Sequence, residues 1–543
     1  MKQGIVISLG VACFLAGTAA TASAASGDDA LAVARRIPVQ DRGRIKPLDS
    51  FARETIRRIT GAPTIDGEDP VKTLTAIMAE PEAWQARPLI EVPFRPLREA
   101  LGMDPKAPRI SYNDLVATRK LMRMLPGIMQ KQEQDEKLTM LEQETMDAFE
   151  RFVTFSKLAE QELHLVPPPS SDPVWLPVLK PEGHPEEQQA KIREAWAGLL
   201  QELRAGGTRT ARSAAERLAS ELAAARPSAY PAPWRIELEL FYNHARPFHA
   251  ARIAYVVAAI ALLIQLLRAG GPAGRIGQAA LWIAAFLHLA GILLRVVLGE
   301  RPPVSNFYET TLWLPFVAVV LGIIFGRVYQ SPLFGFAASI LAGIALFLAD
   351  YLPLDSSISP VVAVLRSNLW LTIHVLTIVA SYGALALATV LAHVYGVMVL
   401  ARSKPGGLTE LDFFLYRTIQ VGVVLLAGGI MLGAVWANAS WGRYWGWDPK
   451  ETWALITLIW FIAVLHGRFA GWLRGVWVAL STILGFLLLL MTYYGVSFYL
   501  VGLHSYAGGN AKPLPALLVG YLIAESVFVA AVALAQMRRA RHA

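Results

Sequence analysis

Six of the fifteen tryptophans in this chain, Trp436, Trp441, Trp445, Trp447, Trp453 and Trp460, fall within twenty-five residues. The centre of that run, Trp441-Gly442-Arg443-Tyr444-Trp445-Gly446-Trp447-Asp448-Pro449-Lys450, joins flat apolar rings to two cations and a carboxylate. A membrane interface explains one or two tryptophans at a helix end. It does not explain this density, or two glycines that let the backbone approach something flat. The tract 436–453 reads better as an aromatic platform for a large planar ligand, built on Trp441, Trp445, Trp447 and Asp448. Arg443 and Lys450 are then available to the ligand's anionic groups.

Histidines supply the other half of the chemistry. His374, in Trp370-Leu371-Thr372-Ile373-His374, and His504, in Gly502-Leu503-His504-Ser505-Tyr506-Ala507, are expected on the same side of a membrane as the platform. Two imidazoles flanking an aromatic shelf suit axial ligation of a haem iron, because imidazole is the common neutral nitrogen donor. His466 follows Asp448 by 18 residues, which on one helix places it ~27 Å away. It reads as part of a second, inner site, since an ionisable residue within a span is a functional candidate. His393, 19 residues after His374, reaches a similar depth, and His288 lies near mid-span. Each of these two reads as a structural residue or as a partner for His466. His164, His184, His244, His249 and His542 read as ordinary surface residues.

The elements that must position these groups are transmembrane helices. The chain is 54% hydrophobic and 17% charged, with a mean hydropathy of +0.41, too apolar for a soluble protein of 543 residues. After His249 it becomes a series of apolar spans of the length that crosses ~30 Å of hydrocarbon. Nine are expected, centred near 258, 287, 318, 342, 385, 427, 459, 487 and 525. Arg268 and Arg275, then Arg327, then Arg402, Lys404 and Arg417, then Arg468 and Arg474, and finally Arg538, Arg539 and Arg541 fall in alternate connections. The positive-inside rule makes those connections and the carboxyl terminus cytoplasmic. The connections 299–308, 351–371, 437–450 and 500–514 are then external.

The first 248 residues hold 33 acidic and 32 basic side chains, so the excess of nine positive charges belongs to the apolar part. The pI of 9.4 is therefore no argument for nucleic acid, and no basic, aromatic-interleaved patch suggests one. Residues 1–24 read as a signal peptide: Lys2, an apolar run to about Gly17, and Ala22-Ser23-Ala24 as cleavage site. Cys13, the only cysteine, would leave with it, excluding disulfides, thiolate metal sites and cysteine nucleophiles from the mature chain. Residues 25–245 read as an extracytoplasmic, mainly helical domain, and Ile37 to Arg53 as an extended, turn-rich entry into a helix. The fold class is all-α and polytopic: about nine membrane helices after a helix-rich domain, in a bacterial-type inner membrane. No phosphate-binding Gly-x-x-x-x-Gly-Lys-Ser/Thr loop occurs, so ATP hydrolysis by this chain is not expected.

Tyr416-Arg417-Thr418-Ile419, Gly429-Ile430, Gly433-Ala434-Val435-Trp436-Ala437, the tract from Trp441 to Leu455, Leu465-His466-Gly467-Arg468 and Gly502 to Ala507 resemble the CcsA/ResC-type cytochrome c biogenesis proteins. These are haem-handling membrane proteins with a tryptophan-rich WWD domain. Ser305 to Glu309 and Ser381-Tyr382-Gly383 fit the same pattern, and the resemblance covers roughly 250–535, within a haem-handling domain at 249–537. It implies that His374 and His504 ligate haem b on the WWD domain and that His466 belongs to an inner haem site. It also implies a CcsB/ResB-like membrane partner, for which no transmembrane portion is recognisable before residue 249. Pro38 to Ala52 resembles sequence found ahead of the CcsA part in some fused members.

The activity so implied is that of a cytochrome c synthase. Haem would pass to the outer platform and be joined by thioethers to the Cys-x-x-Cys-His of an apocytochrome c, with His374 and His504 as the catalytic pair. Such a catalyst works by positioning and redox protection, and no general-base triad is visible. Two other readings of the residues stand beside it. One is a haem exporter without ligation activity. The other is a b-type electron-transfer cytochrome, for which His393 and His466 could form a pair at matching depth.

Overall fold

The computed structural model describes residues 30–134, 136–205, 208–268, 271–352, 354–358, 369–403, 405–504 and 514–542. The expected signal peptide with Cys13, and Ser505 to Ala507 of the last motif, lie outside them. The described chain forms two compact units, one up to Ala245, to which Ser357 and Ile358 also belong, and one starting at Arg246.

The first unit is helical, with three short two-stranded antiparallel sheets among the described residues. Strand β1 (Pro38–Asp41) pairs with β2 (Arg44–Pro47), Asp41 opposite Arg44. The two turn residues, Arg42 and Gly43, both have positive φ (50° and 76°), as a two-residue hairpin that follows the strand twist requires. β2 runs straight into the helix Leu48–Thr60, so the segment from Ile37 to Arg53 is a hairpin feeding a helix. Lys46, 2% exposed, is enclosed between Asp41 (2.9 Å) and Glu54 (2.5 Å). A buried ammonium persists only when paired in this way. Burial pushes the Glu54 carboxyl up, against the pull of Lys46. Strand β3 (Pro88–Glu91) pairs with β4 (Arg109–Ser111), and β5 (His164–Val166) with β6 (Leu176–Pro177). Helix Met140–Ala159 starts at a capping box, Thr139 and Glu142 each satisfying the other's backbone N–H. Met78, Phe155, Leu165 and Trp196 lie in the core beneath these elements.

The second unit holds nine helices long and apolar enough to cross a membrane among the described residues, and each coincides with an expected span. They are α1 (Pro247–Leu267), α2 (Ala273–Gly299), α3 (Phe307–Val328), α4 (Pro332–Tyr351), α5 (Leu369–Leu400), α6 (Pro405–Trp441), α7 (Pro449–Phe469), α8 (Val476–Tyr499) and α9 (Ala516–His542). The chain is a multi-pass membrane protein. Helix α6 continues through Trp441, so Trp436 and Trp441 project from its last turns, and the connection to α7 is only Gly442 to Asp448.

Two features of the bundle fix the site. Helices α5 and α6 pack along a row of glycines: a Cβ at Gly422 would lie 2.5 Å from Leu385 Cδ2, one at Gly429 2.9 Å from Ile378 Cα, and one at Gly433 2.6 Å from His374 Cε1. Small residues at this spacing let two backbones approach closely in a bundle without solvent to drive it. At the start of α3, Glu309 is buried and accepts from Arg295 (3.1 Å), Arg301 (2.8 Å) and the Ser305 N–H (2.9 Å). This closed polar cluster fixes the course of the α2–α3 connection.

Candidate functional site

Five stretches line one cavity at one end of the bundle: the α2–α3 connection with the first turn of α3, the first turns of α5, the last turns of α6, the α6–α7 connection with the start of α7, and the end of α8 with the segment after it. His374 comes from α5. Its Nδ1 lies 2.8 Å from the Gly429 carbonyl oxygen, and its ring is parallel to Trp436 (8° between planes, 6.3 Å between centroids). The absence of a side chain at Gly433 makes room for that ring.

His504 is held by Asp448, whose Oδ1 lies 2.9 Å from its Nδ1. Asp448 is also the N-cap of α7: it accepts from the Lys450 N–H (2.9 Å), while Oδ2 takes the Leu503 N–H (2.6 Å). Glu451 completes a capping box and reaches back to the Gly446 N–H (2.8 Å). Burial would raise the Asp448 carboxyl, but His504 and the two backbone N–H groups outweigh it and hold it below the usual carboxylate range. The preceding residue, Trp447, takes a left-handed φ of 57°, a conformation a bulky side chain adopts only where its surroundings impose it.

The two histidines therefore have the same polarity. An oxygen acceptor at Nδ1 places the proton there and leaves the lone pair on Nε2. Among the described residues neither Nε2 has a protein partner. Both rings line one cavity of about 330 Å³, together with Trp436, Trp445, Tyr382 and Tyr493. Trp436 is 5% exposed and its indole N–H has no hydrogen-bond partner among the described residues. A buried donor without a partner costs about 1–3 kcal/mol, which a ligand acceptor would recover. Lys450 lines the same cavity, its Nζ donating to the Tyr493 carbonyl (3.1 Å) and the Ser497 hydroxyl (2.8 Å). Tyr493 sits in a π-helical turn, Met491–Gly495, inside α8, an irregularity common at functional sites. Its hydroxyl lies 2.9 Å from Thr310 Oγ1.

The other expected platform residues separate. Trp445 lines the cavity. Trp441 stands edge-on to His504 (89°, 5.9 Å) and packs against Trp436 (4.6 Å). Trp447 is 70% exposed and meets only the edge of Trp445 (87°, 5.8 Å). Arg443 is exposed and folds over Gly446, where a Cβ would come within 2.7 Å of its guanidinium carbon. Arg443 and Trp447 are thus outside the cavity wall. Trp460 donates to the Ser481 carbonyl (2.8 Å), and the Trp453 carbonyl accepts from Thr492 (3.0 Å); both tie α7 to α8.

His466 lies near the opposite end of α7, exposed, with Nδ1 2.9 Å from the Ile462 carbonyl. The two other membrane histidines are fully engaged. His288 is buried between the Tyr255 hydroxyl (3.2 Å) and the Leu312 carbonyl (3.0 Å). His393 spans the Thr389 carbonyl (2.8 Å) and Glu525 (3.0 Å), stacked on Phe528. Sequence reasoning named Gly429 and Gly433 among the motif residues but not their roles beside His374, and missed Tyr493 and the particular place of Trp436. The glycine spacing on α6 was the available signal; nothing local marks Tyr493.

A polytopic helical membrane protein with a histidine pair, an aromatic cavity and a lysine in the cavity wall at one end is the class that fold and site define. Residues 304–504 match the family described as cytochrome C assembly protein. The CcsA protein of Guillardia theta is 37% identical over 260 residues, covering 41% of this chain and 84% of that protein. The protein NrfI of Wolinella succinogenes is 31% identical over 500 residues, 87% of this chain and 54% of NrfI. The chain thus spans about half of NrfI, and an alignment of that length extends beyond the helical bundle into the first unit. The solved structure titled cytochrome c heme lyase CcmF aligns with 53% of this chain and 50% of its own, at 18% identity and a TM-score of 0.40, too low to bear on the argument. The chain belongs to the cytochrome c assembly protein family.

Proposed function

We propose that this protein brings haem b to the face of the membrane that carries His374 and His504, and there joins it to the Cys-x-x-Cys-His of an apocytochrome c. The observation that carries this reading is the pair of imidazoles, both with Nδ1 bound and Nε2 free, lining one aromatic cavity in a cytochrome c assembly protein. The group fits the residues present: two nitrogen donors for an iron, flat rings for a macrocycle, Lys450 for a propionate, and the Trp436 N–H for an acceptor. Haem, as substrate, supplies two vinyl groups, and each thioether forms by adding a cysteine S–H across one vinyl double bond, with no leaving group.

The protein's own contribution is positional. His374 and His504 hold the iron's axial positions, Gly429 and Asp448 fix their rings, and Trp436 and Trp445 exclude water from the face where the thiols arrive. Trp441 braces His504. Arg443 and Trp447, exposed beside the cavity, serve the approach of haem or of the apocytochrome. His466 belongs to an inner haem site whose second ligand comes from a CcsB/ResB-like partner, since His288 and His393 are both engaged. In this reading the protein lies in a bacterial inner membrane, residues 25–245 and the histidine pair are extracytoplasmic, and the carboxyl terminus is cytoplasmic. Co-expression with an apocytochrome reporter and the partner, scored for covalent haem, is the test. Haem export without thioether formation would leave only the transport half of the proposal.

A further inference from the structure

The first unit contains a groove of about 850 Å³ to which the reading above gives no role. One wall is β1 with its turn, Val39 to Gly43; the other is helix Met140–Ala159, from Met146 to Leu158. Met146 and Lys157 both line it, and eleven residues of helix separate them by ~16 Å, the length of about five residues of extended chain. Pro173 and Val174 close one side, tied to β1: the Gln40 amide donates to the Pro173 carbonyl and accepts from the Trp175 N–H, each at 2.6 Å, and Arg42 reaches Glu150 across the two walls. The groove is therefore preformed, which lowers the cost of ordering a flexible ligand.

Its polar groups are unevenly satisfied. Arg42 pairs with Glu150 (2.6 Å), Lys157 with Glu162 (3.0 Å), and Asp41 with Lys46. Arg58 lines the groove, and its side chain makes no hydrogen bond or ion pair among the described residues. One helical turn before it, on the same face, Thr55 is 1% exposed and its hydroxyl has no partner among the described residues. Phe51 and Phe149 complete the lining with apolar surface. Asp41, Glu150 and Glu54 act on the Arg58 guanidinium only at longer range, with Arg42 opposing them; a guanidinium without a direct partner beside an unsatisfied buried hydroxyl is a place for a carboxylate and a neighbouring polar group.

We propose that this groove binds an extended, carboxylate-bearing stretch of unfolded polypeptide, with the carboxylate on Arg58, a backbone polar group on Thr55, and apolar side chains against Phe51 and Phe149. An apocytochrome awaiting haem is a chain of this kind, so the inference rests on the proposed function for the identity of the polypeptide, though not for the chemistry of the groove.

The test uses the full chain in lipid nanodiscs, free of haem, and a fluorescent, unstructured apocytochrome peptide containing aspartate or glutamate, beside a copy with those residues changed to their amides. Wild-type protein is expected to bind the acidic peptide about tenfold more tightly than the amide copy, a difference of ~1.4 kcal/mol. Arg58→Ala should abolish that difference, Arg58→Lys should keep part of it, and Phe149→Ala should weaken both peptides alike. The peptide lacks the Cys-x-x-Cys-His and the protein is free of haem, so failure of the haem reading would leave this result untouched. Equal binding of the two peptides by wild type, which needs no variant to fold, overturns the proposal. Displacement of the acidic peptide by acetate or inorganic phosphate at low millimolar concentration also overturns it, by marking a small-anion site.

Discussion

Asp448 Oδ1 lies 2.9 Å from His504 Nδ1, and the same carboxylate caps helix α7. One side chain thus both starts a membrane helix and sets which nitrogen of a distant histidine is free. Both roles use the same oxygen: Oδ1 accepts from the Lys450 N–H and from His504 Nδ1. An asparagine oxygen in that place keeps both bonds and caps equally well, so Asp448→Asn should accumulate, insert and retain most of its haem. Asp448→Ala should lose the haem and also about 1 kcal/mol of stability from the missing cap. Haem content against protein, with thermal unfolding, distinguishes the variants. Wild-type haem content in Asp448→Ala, which leaves His504 Nδ1 without this acceptor, would refute the tautomer argument.

Gly433 is expected to act through His374. An added methyl would press on the ring, so Gly433→Ala should shift or lose the axial ligation while leaving the helix intact. Gly428, on the same helix, has open space where its Cβ would be, and Gly428→Ala should be silent. The absorption spectra of the two variants with bound haem make the comparison.

Replacing either His374 or His504 by alanine should abolish holocytochrome formation, and added imidazole should partly restore it by filling the vacant coordination position. Covalent haem on the reporter cytochrome is the readout. Normal maturation by His504→Ala would remove that residue from the site.

The two central tryptophans should differ. Trp445 lines the cavity and Trp447 is 70% exposed, so Trp445→Ala should lower co-purifying haem much more than Trp447→Ala. Equal losses, with the protein still abundant, would make Trp447 part of the binding surface once haem is present.

His466 should serve a separate haem pool. Its place eighteen residues beyond Asp448 on α7, a rise of ~27 Å, keeps its ring from an iron held between His374 and His504. His466→Ala should therefore reduce delivery but leave the axial spectrum of the platform haem unchanged. A changed spectrum at unchanged occupancy would contradict the two-site arrangement.

The sequence by itself determined the nine spans, because twenty apolar residues have few other places to be, and it brought forward His374, His504, His466 and the tryptophan tract, because those residue types are rare in hydrocarbon without a task. It also carried the near-coincidence in depth of His374 and the tract, since helical rise converts residue number into distance. Only the tertiary structure decided which groups face each other. That Gly429 rather than a carboxylate holds His374, that Trp436 lines the cavity with an N–H unpaired among the described residues while Trp447 is exposed, and that His393 is committed to Glu525 depend on how each segment is turned toward its neighbours. Hydrophobicity is spread almost evenly around such helices, so it sets their length and not their rotation. That rotation is settled by close packing, here by the glycines of α6, and by hydrogen bonds between segments far apart in sequence, 132 residues for His393 and Glu525 and 183 for Thr310 and Tyr493.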